Sequence, residues 1–280
     1  MQHLLITGGS GYLGRALVQQ AAESGRWTVT ATYAAHPRAA PGVEFVPLDV
    51  RDRAAVQRVL QKTCPHVVIH TAYVQREPDL WQTTAAGAQH VAQAAQAVGA
   101  RLIHISSDAL FDGERTGVYT EADLPSPITP YGEAKAAAER LVAAAHPAAL
   151  IVRTSLIYGG TPPSSHEELV LNALDQAQEI AFFTDEIRNP IHVADLAAAL
   201  LELAPTEAQG VLHVAGADAV SRYTFACLIA QHHGRAADQL RAGRSASSGM
   251  RRPRNVALDS ARAQALLQTR LRGMHEVLGA

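Results

Sequence analysis

A glycine-rich turn follows the first apolar run of the chain directly. Residues 3–7 (HLLIT) read as a buried strand, and residues 8–14 (GGSGYLG) come next, ahead of a helical pattern. The glycines at 8, 11 and 14 lie one residue away from the G-x-G-x-x-G spacing of dinucleotide sites. Glycines in such a turn allow backbone to approach a pyrophosphate and helix to pack on strand, while the helix N-terminus faces the phosphates. The turn therefore predicts a dinucleotide site at the start of the chain.

Short β-rich runs alternate with alanine-rich helical stretches over the first 155 residues. The alternation predicts a doubly wound parallel sheet of the Rossmann α/β class, with right-handed crossovers. The pattern loosens after about residue 155, where Pro/Ser-rich and Gly/Ser-rich loops separate shorter elements. We therefore expect a dinucleotide-binding Rossmann domain over residues 1–160. A smaller C-terminal α/β substrate lobe is expected over residues 161–280, partly returning to the sheet.

Composition excludes several classes of protein. The 280-residue chain has 24 Lys+Arg against 26 Asp+Glu and a formal charge of -2, so it lacks the basic footprint of a nucleic-acid or anionic-membrane binder. No apolar run reaches the ~18 residues of a membrane span, and the N-terminus lacks a basic signal segment, so a cytoplasmic location is expected. Cys64 and Cys227 form neither a disulfide framework nor a ligand cluster. No ligands converge on Asp185 and Glu186 in the sequence, and no metal is predicted.

The end of the second strand-like run bears on the cofactor. NAD sites place an acidic residue there to bind the ribose 2′-hydroxyl. Residues 30–38 (TATYAAHPR) contain no acid, and Arg38, with His36 and Arg15, is a candidate for a 2′-phosphate. NADP(H) is therefore favoured, and NAD(H) stays open.

Candidate proton-transfer residues follow a later strand and begin a helix. Ser106 and Ser107 lie at the carboxyl end of the strand predicted over residues 102–105, the edge where open α/β sheets bind ligands. Tyr131 and Lys135 are spaced i,i+4 and share one helical face. Lys135 is one of two lysines against 22 arginines, which indicates a need for a compact ammonium. An ammonium favours the phenolate of a nearby tyrosine, so a tyrosine that passes a proton while a serine holds a substrate oxygen is predicted.

Taken together, these motifs resemble the extended short-chain dehydrogenase/reductase family, and the resemblance covers nearly the whole chain. It is carried by residues 7–14 (TGGSGYLG), 48–50 (LDV), 70–72 (HTA), 106–108 (SSD), 153–159 (RTSLIYG) and the Tyr131-x-x-x-Lys135 pair. Within the family, residues 106–113 (SSDALFDG) and 252–259 (RPRNVALD) are similar to the dTDP-4-dehydrorhamnose reductase branch. The same stretches resemble the regulatory β subunit of methionine adenosyltransferase, a relative that binds NADP.

The resemblance implies roles for individual residues. Ser107 aligns with the catalytic Ser/Thr, with Ser106 as the second choice, Tyr131 with the acid/base and Lys135 with its modulator. The predicted cofactor-binding residues combine those of the glycine-rich turn, Arg38 and those that the resemblance implies. They are Gly8, Ser10, Gly11, Tyr12, Leu13, Gly14, Arg38, Asp49, Val50, Thr71, Ala72, Tyr73, Tyr131, Lys135 and Ser155.

The predicted substrate contacts are Ser107, Arg188, Arg252 and Arg254. Related enzymes have an R-x-x-x-H-V-x-D segment along the substrate cleft, which residues 188–195 match. Arg252 and Arg254, with Arg251, form either a bidentate clamp for a diphosphate or a solvated basic loop. The reductase branch carries aromatic residues where this chain has Ala109 and Leu156, so the sugar is left open.

The sequence thus predicts an NADP-preferring reductase of a keto group on a nucleotide-activated sugar or similar carbonyl. The nicotinamide would deliver the hydride and Tyr131 the proton. A nucleotide-sugar epimerase with bound NAD and a non-catalytic, NADP-binding regulatory subunit stay open as alternatives. The expected partner is a small sugar-nucleotide-like molecule, not nucleic acid or membrane. A homodimer is common among symmetric enzymes, although no residue here demands one.

Overall fold

The computed structural model of the protein describes residues 1–176, 180–249 and 251–279. The strands in these ranges are β1 (Gln2–Thr7), β2 (Trp27–Tyr33), β3 (Val43–Pro47), β4 (Val67–His70), β5 (Arg101–Ser107), β6 (Leu150–Thr154), β7 (Ile157–Tyr158), β8 (Ala181–Phe183), β9 (Ile187–Arg188), β10 (Ile191–His192), β11 (Gly210–His213), β12 (Val220–Ser221) and β13 (Arg241–Gly243). The α-helices are α1 (Tyr12–Glu23), α2 (Arg53–Thr63), α3 (Gly87–Ala97), α4 (Pro130–Ala145), α5 (Ser165–Asp175), α6 (Val193–Leu203), α7 (Arg222–His232), α8 (Ala261–Leu266) and α9 (Met274–Leu278).

Seven strands form one sheet in the order β11-β6-β5-β4-β1-β2-β3. Strand β1 pairs in parallel with both β2 and β4, and the parallel ladder continues to β3 on one side and β5 on the other. The strand order therefore reverses between β1 and β4, which is where open α/β sheets bind ligands at the carboxyl ends of their strands. The predicted doubly wound Rossmann fold is confirmed.

Two compact units interleave along the chain. The first comprises Met1–Ser107, Pro130–Arg153 and Ala197–Leu212, and the second comprises Asp108–Thr129, Thr154–Leu196 and His213–Ala280. Each unit thus comprises three separate segments of the chain. The sequence suggested a single boundary near residue 160. The segment that returns to the sheet carries β11.

Local sequence explains how the elements of the first unit form. All four residues of β4 (VVIH) are buried, as expected of a central strand covered by helices on both faces. Helix α2 begins after Asp52, whose carboxylate accepts a hydrogen bond from the Ala55 amide at 3.0 Å, a typical N-cap. Side chains of α2, α3 and α4 pack on the sheet to form the core of this unit.

The helical pattern over residues 79–98 contains an irregular turn that the sequence did not predict. Gln82–Ala86 adopts a π-helical turn that leads directly into α3. The Thr84 hydroxyl donates to the Val74 carbonyl at 2.8 Å and accepts from the Val74 amide at 3.1 Å. These bonds join the π-helical turn to a loop ten residues upstream. The irregular turn therefore depends on a contact that helical periodicity in the sequence does not reveal.

The second unit has its own core around α5 and α7. Helix α5 begins with a capping box, in which Ser164 and Glu167 satisfy each other's backbone amides. The pattern over residues 167–178 predicted this helix; it ends at Asp175, and residues 177 and 178 lie outside the described residues. In the part of the chain that the structure describes, no helix combines the length and apolar character needed to cross a membrane.

Candidate functional site

The glycine-rich turn joins β1 to α1, and the atoms around Gly8, Gly9 and Gly14 leave no room for a Cβ at these positions. Gly8 has a φ of +71°, and a Cβ placed on it would lie 2.8 Å from the Ala72 amide nitrogen. A Cβ on Gly14 would lie 2.2 Å from the Gly8 carbonyl oxygen. Gly11 differs, because its Cβ would meet only the Gly8 oxygen, at 3.1 Å. Gly11 is also the N-cap of α1 and makes no side-chain cap. The turn thus packs tightly against the protein at Gly8 and Gly14 and presents an open backbone at Gly11.

The remaining residues of the turn divide between core and surface. Leu13 is buried in the core, whereas Ser10 and Tyr12 are partly exposed. The Arg15 guanidinium lies 6.0 Å from the centre of the Tyr12 ring. A cation is therefore held beside the first turn of α1, in the region where a cofactor phosphate is predicted.

The loop after β4 lies beside this turn. Thr71 donates its hydroxyl proton to the Thr7 carbonyl at 2.7 Å, and its backbone amide donates to the same oxygen at 3.1 Å. Thr71 and Ala72 are partly buried, and Tyr73 is exposed. The structure therefore brings the predicted residues 71–73 to the point of strand reversal, next to Gly8.

Lys135 is a buried ammonium between two tyrosine rings. Its Nζ donates to the Ile105 carbonyl at 3.0 Å and lies 4.8 Å from the ring centre of Tyr73 and 5.9 Å from that of Tyr131. The two rings are 6.1 Å apart. Burial lowers the pKa of Lys135 to about 8, against the raising effect of Glu139. Among the described residues, the Ile105 carbonyl is its one hydrogen-bond acceptor, so two of its three N–H donors have no protein acceptor there.

The two serines at the end of β5 have different surroundings. Ser106 is buried, and its hydroxyl donates to the Glu139 carboxylate at 2.5 Å. Glu139 also forms a buried ion pair with Arg153, with an Nη2–Oε2 distance of 2.8 Å. Ser107 is partly exposed. The two serines thus differ in burial, and the role of Ser107 toward a ligand stays a prediction.

The family resemblance implies that Asp49 and Val50 contact the adenine of the cofactor, and both residues lie after β3. Asp49 is partly buried and accepts a bidentate interaction from Arg51, which holds the pKa of that carboxyl below its usual value. Val50 is buried, and a Cβ on Gly87 would lie 2.7 Å from its Cγ2. Val50 thus packs against α3, and its proposed contact with adenine stays a prediction.

Arg38 lies in the exposed segment that follows β2. No hydrogen bond or ion pair is found for its side chain within the described residues. Its position after the carboxyl end of β2 is the place where a ribose 2′-substituent is expected.

In the second unit, Ser155 belongs to a buried polar network. Its hydroxyl donates to the Asp108 carboxylate at 2.6 Å and accepts from the Asn189 amide at 3.2 Å. The Asn189 side chain in turn bonds to the Gly216 carbonyl and the Leu258 amide. Because these bonds join distant segments of this unit, the hydroxyl of Ser155 has a structural role in addition to the cofactor contact proposed for it.

Each predicted substrate arginine of the second unit already has protein partners. Arg188 is buried and donates to the carbonyls of Ile187, Pro253 and Arg254. Arg252 pairs with the buried carboxylate of Glu186. Arg254 forms an exposed pair with Glu114. The structure thus brings Arg188 and Arg252 together around Glu186 and places Arg254 in a surface ion pair.

Sequence reasoning missed Arg222, which joins the same cluster. It is partly buried at the first position of α7, and the charges of Arg188 and Arg252 act on it. The available signal was a cation in the first turn of a predicted helix, where the helix dipole disfavours positive charge. The described residues contain no group of His, Cys, Asp or Glu side chains arranged to hold a metal ion.

Comparison with known proteins identifies the family. The model of the family described as RmlD substrate binding domain matches residues 1–280. The chain belongs to this family.

The relatives of this RmlD-family chain include two kinds of protein. It is 30% identical to the dTDP-4-dehydrorhamnose reductase of Aggregatibacter actinomycetemcomitans, over 82% of this chain and 78% of that protein. It is 32% identical to the methionine adenosyltransferase 2 subunit beta of Mus musculus, over 95% of this chain and 82% of that protein. Both resemblances expected from the sequence motifs are therefore confirmed.

Solved structures give the same result for the fold. The dTDP-4-dehydrorhamnose reductase of Bacillus anthracis, crystallised in complex with NADP, superposes with a TM-score of 0.85 at 27% identity, covering 99% of this chain and 97% of that one. The RmlD-family chain thus has the fold of an NADP-binding reductase over its whole length.

Proposed function

We propose that this protein is an NADP(H)-dependent reductase of a keto group on a nucleotide-activated sugar. The observation that carries the proposal is the buried ammonium of Lys135, which has a single protein acceptor and lies beside Tyr131 at the carboxyl edge of the sheet. A buried ammonium with unused donors is unfavourable unless a ligand satisfies it. Ribose hydroxyls of a dinucleotide are suitable acceptors for these donors.

The residues present fit a dinucleotide. The open backbone at Gly11 and the N-terminus of α1 suit a pyrophosphate. The exposed guanidinium of Arg38 suits a 2′-phosphate, which supports NADP(H) over NAD(H). When bound, the nicotinamide supplies the hydride.

The protein's own residues would then control the proton and the carbonyl. Ser107 holds the substrate carbonyl oxygen by donating a hydrogen bond, and Tyr131 donates the proton to that oxygen. Lys135 favours the phenolate that Tyr131 leaves behind, because an adjacent cation stabilises an anion. The sugar-nucleotide class of substrate is supported by the names of the reductase relatives. The identity of the sugar stays open. Leu156 packs against the hydrophobic core of the second unit, at a position where the reductase branch carries an aromatic residue.

The proposal is tested by NADPH consumption against a panel of nucleotide-linked keto sugars, with Tyr131→Phe as the main variant. We expect turnover by the natural protein and a loss of about 10²–10⁴-fold in the variant, the usual contribution of a general acid. Affinity for NADPH should stay within about threefold, since the phenol ring is kept.

The two lysines of the chain provide a matched control. Lys135→Met should abolish turnover and weaken NADPH binding, whereas Lys62→Met, at an exposed position at the end of α2, should change neither. Equal turnover in Tyr131→Phe and the natural protein would contradict the proposed proton donor.

A non-catalytic, NADP-binding regulatory subunit is the second candidate. It is favoured by the 32% identity to an adenosyltransferase β subunit over 95% of this chain. Tight NADPH binding without turnover of any sugar in the panel, together with a partner enzyme that copurifies, would support this candidate over the reductase.

A further inference from the structure

Arg222 occupies a position that the pairing of two short strands fixes. Strand β12 pairs antiparallel with β9, with Val220 opposite Arg188. The Arg222 amide then donates to the Glu186 carbonyl at 2.9 Å. The ladder thus places Arg222 in the same cluster as Arg188, Glu186 and the Arg252 that pairs with it.

The cluster holds more positive than negative charge. The Glu186 carboxylate is buried and bonded to Arg252, and it lies 3.9 Å from Arg188. Asp108 lies 3.9 Å from the other side of Arg188. Arg222 adds a third guanidinium, and among the described residues its side chain has neither a hydrogen bond nor an ion pair. Its guanidinium makes a cation–π contact with the ring of Phe225, at 5.8 Å from the ring centre.

The surroundings of Arg222 oppose its charge in three ways. Burial lowers its pKa to about 10, and the charge of Arg188 contributes to the same shift, against the raising effects of Glu186 and Asp108. Arg222 also lies in the first turn of α7, which contains no acidic residue, and a cation there opposes the helix dipole. His166 adds no further charge, because burial and the charges of Arg222 and Arg188 lower its pKa to about 4 and leave it neutral at pH 7.

Glu186 and Asp108 offset these effects only in part, since the pKa of Arg222 stays lowered, and a residue that breaks local electrostatic rules in this way indicates a functional site. A partly buried cation beside a helix N-terminus is complementary to an oxyanion, which can accept hydrogen bonds from the guanidinium fork and gain from the helix dipole. The other arginines of the cluster already donate to Glu186 or to backbone carbonyls, whereas within the described residues none of the guanidinium donors of Arg222 has a protein acceptor.

We propose that Arg222 binds the diphosphate of a nucleoside diphosphate, as the anion-recognising residue of the substrate site. The nucleotide-sugar identity of that ligand rests on the proposed function. Arg188 and Arg252 then act as positioning residues, which hold Glu186 and keep the cluster cationic around Arg222.

The test compares Arg222→Gln with the natural protein and with Arg270→Gln, which removes an exposed arginine of the same unit that is paired with Glu276. Isothermal titration calorimetry measures the affinities for dTDP, UDP, inorganic pyrophosphate and NADPH. The midpoint of thermal unfolding is measured without ligand. We expect Arg222→Gln to bind dTDP or UDP about 10- to 100-fold more weakly, the value of a charge-assisted hydrogen bond. Its NADPH affinity should be unchanged.

The thermal midpoint separates a binding role from a structural role. If Arg222 is an unfavourable cation kept for a ligand, Arg222→Gln should unfold at a higher temperature than the natural protein in the absence of ligand. A lower midpoint would show that Arg222 serves the fold and would overturn the proposal. Arg270→Gln should leave the affinities unchanged.

Three binding results would also overturn the proposal. They are an affinity of Arg222→Gln for the nucleoside diphosphates equal to that of the natural protein, a loss confined to NADPH, and a natural protein that binds neither the nucleoside diphosphates nor pyrophosphate. Failure of the proposed function has a different signature. In that case dTDP or UDP binding depends on Arg222, while no keto sugar supports NADPH consumption.

Discussion

At the scale of the residue, the first unit holds two imidazoles that are completely buried. His70 and His104 stack with their ring centres 5.3 Å apart, on neighbouring strands. His70 bonds through Nδ1 to the Thr7 hydroxyl at 2.6 Å, whereas neither ring nitrogen of His104 has a hydrogen-bond partner among the described residues. Burial is the first cause that lowers both pKa values, that of His70 to about 3, and the charge of Lys135 adds to it. Both imidazoles are therefore neutral in the folded protein.

These neutral imidazoles predict a loss of stability in acid. An unfolded histidine binds a proton below about pH 6.5, while His104 in the folded chain does not. The unfolded state therefore binds more protons, and the free energy of unfolding falls by about 1.4 kcal/mol per pH unit for each such histidine as the pH falls below 6.5. Removing the titratable ring removes that part of the slope.

His104→Phe should therefore flatten the decline in stability between pH 6.5 and pH 4.5, while leaving the stability at pH 8 within about 1.5 kcal/mol of the natural protein. Denaturant unfolding at several pH values measures the slope. His232→Phe, at the exposed last position of α7, is the control and should leave the slope unchanged. The same slope in His104→Phe and the natural protein would show that His104 is protonated in the fold.

At the scale of the element, the sequence predicted what local pattern and turn chemistry determine. The β1–turn–α1 unit, the i,i+4 placement of Tyr131 and Lys135 and the parallel sheet are all consequences of residues close together in the chain. Partners distant in sequence were not predictable in this way. Ser106 bonds to a carboxylate 33 residues away, and Arg188 donates to a carbonyl 65 residues away. Such pairings depend on tertiary structure, which the local sequence pattern does not contain.

Two similar substitutions in the glycine-rich turn should differ in their effect on stability. Gly14→Ala places a Cβ 2.2 Å from a backbone oxygen, so α1 must shift and the free energy of unfolding should fall by about 1–3 kcal/mol. Gly11 has a φ of -72°, and its Cβ would meet only one atom, at 3.1 Å. Gly11→Ala should therefore fold with nearly natural stability, because alanine adopts this backbone conformation readily.

Binding measurements complete that comparison. Gly11→Ala should lose about tenfold or more in NADPH affinity, since the added methyl occupies the backbone surface proposed for the pyrophosphate, and tenfold corresponds to about 1.4 kcal/mol. Thermal unfolding and fluorescence titration with NADPH give the two quantities on the same samples. Undiminished NADPH affinity in a folded Gly11→Ala would contradict the assignment of this turn to the cofactor.

At the scale of the whole molecule, the two compact units divide the proposed work. The first unit contains Lys135, Tyr131 and the glycine-rich turn, and the second contains the arginine cluster with Arg222. Since β5 ends the first segment of the first unit at Ser107 and the second unit begins at Asp108, the predicted serine lies at a crossing point of the chain. Membership of a family whose relatives include both a reductase and an adenosyltransferase subunit makes the cofactor the property to measure first.

Coenzyme preference is measurable on the whole molecule without knowledge of the substrate. A ligand at 100 times its dissociation constant adds about 2.7 kcal/mol to the free energy of unfolding, which raises the thermal midpoint of a protein of this size by roughly 5–10 °C. If Arg38 contacts the 2′-phosphate, NADPH should raise the midpoint clearly more than NADH at equal concentration. Arg38→Ala should narrow that difference, while Arg26→Ala, an exposed arginine at the opposite end of β2, should preserve it. An equal rise in the thermal midpoint with NADPH and NADH would contradict the role of Arg38 and favour NAD(H), because a 2′-hydroxyl needs no cation at this position. The role of Arg38 would also be contradicted if Arg26→Ala narrowed the difference between the coenzymes as much as Arg38→Ala does.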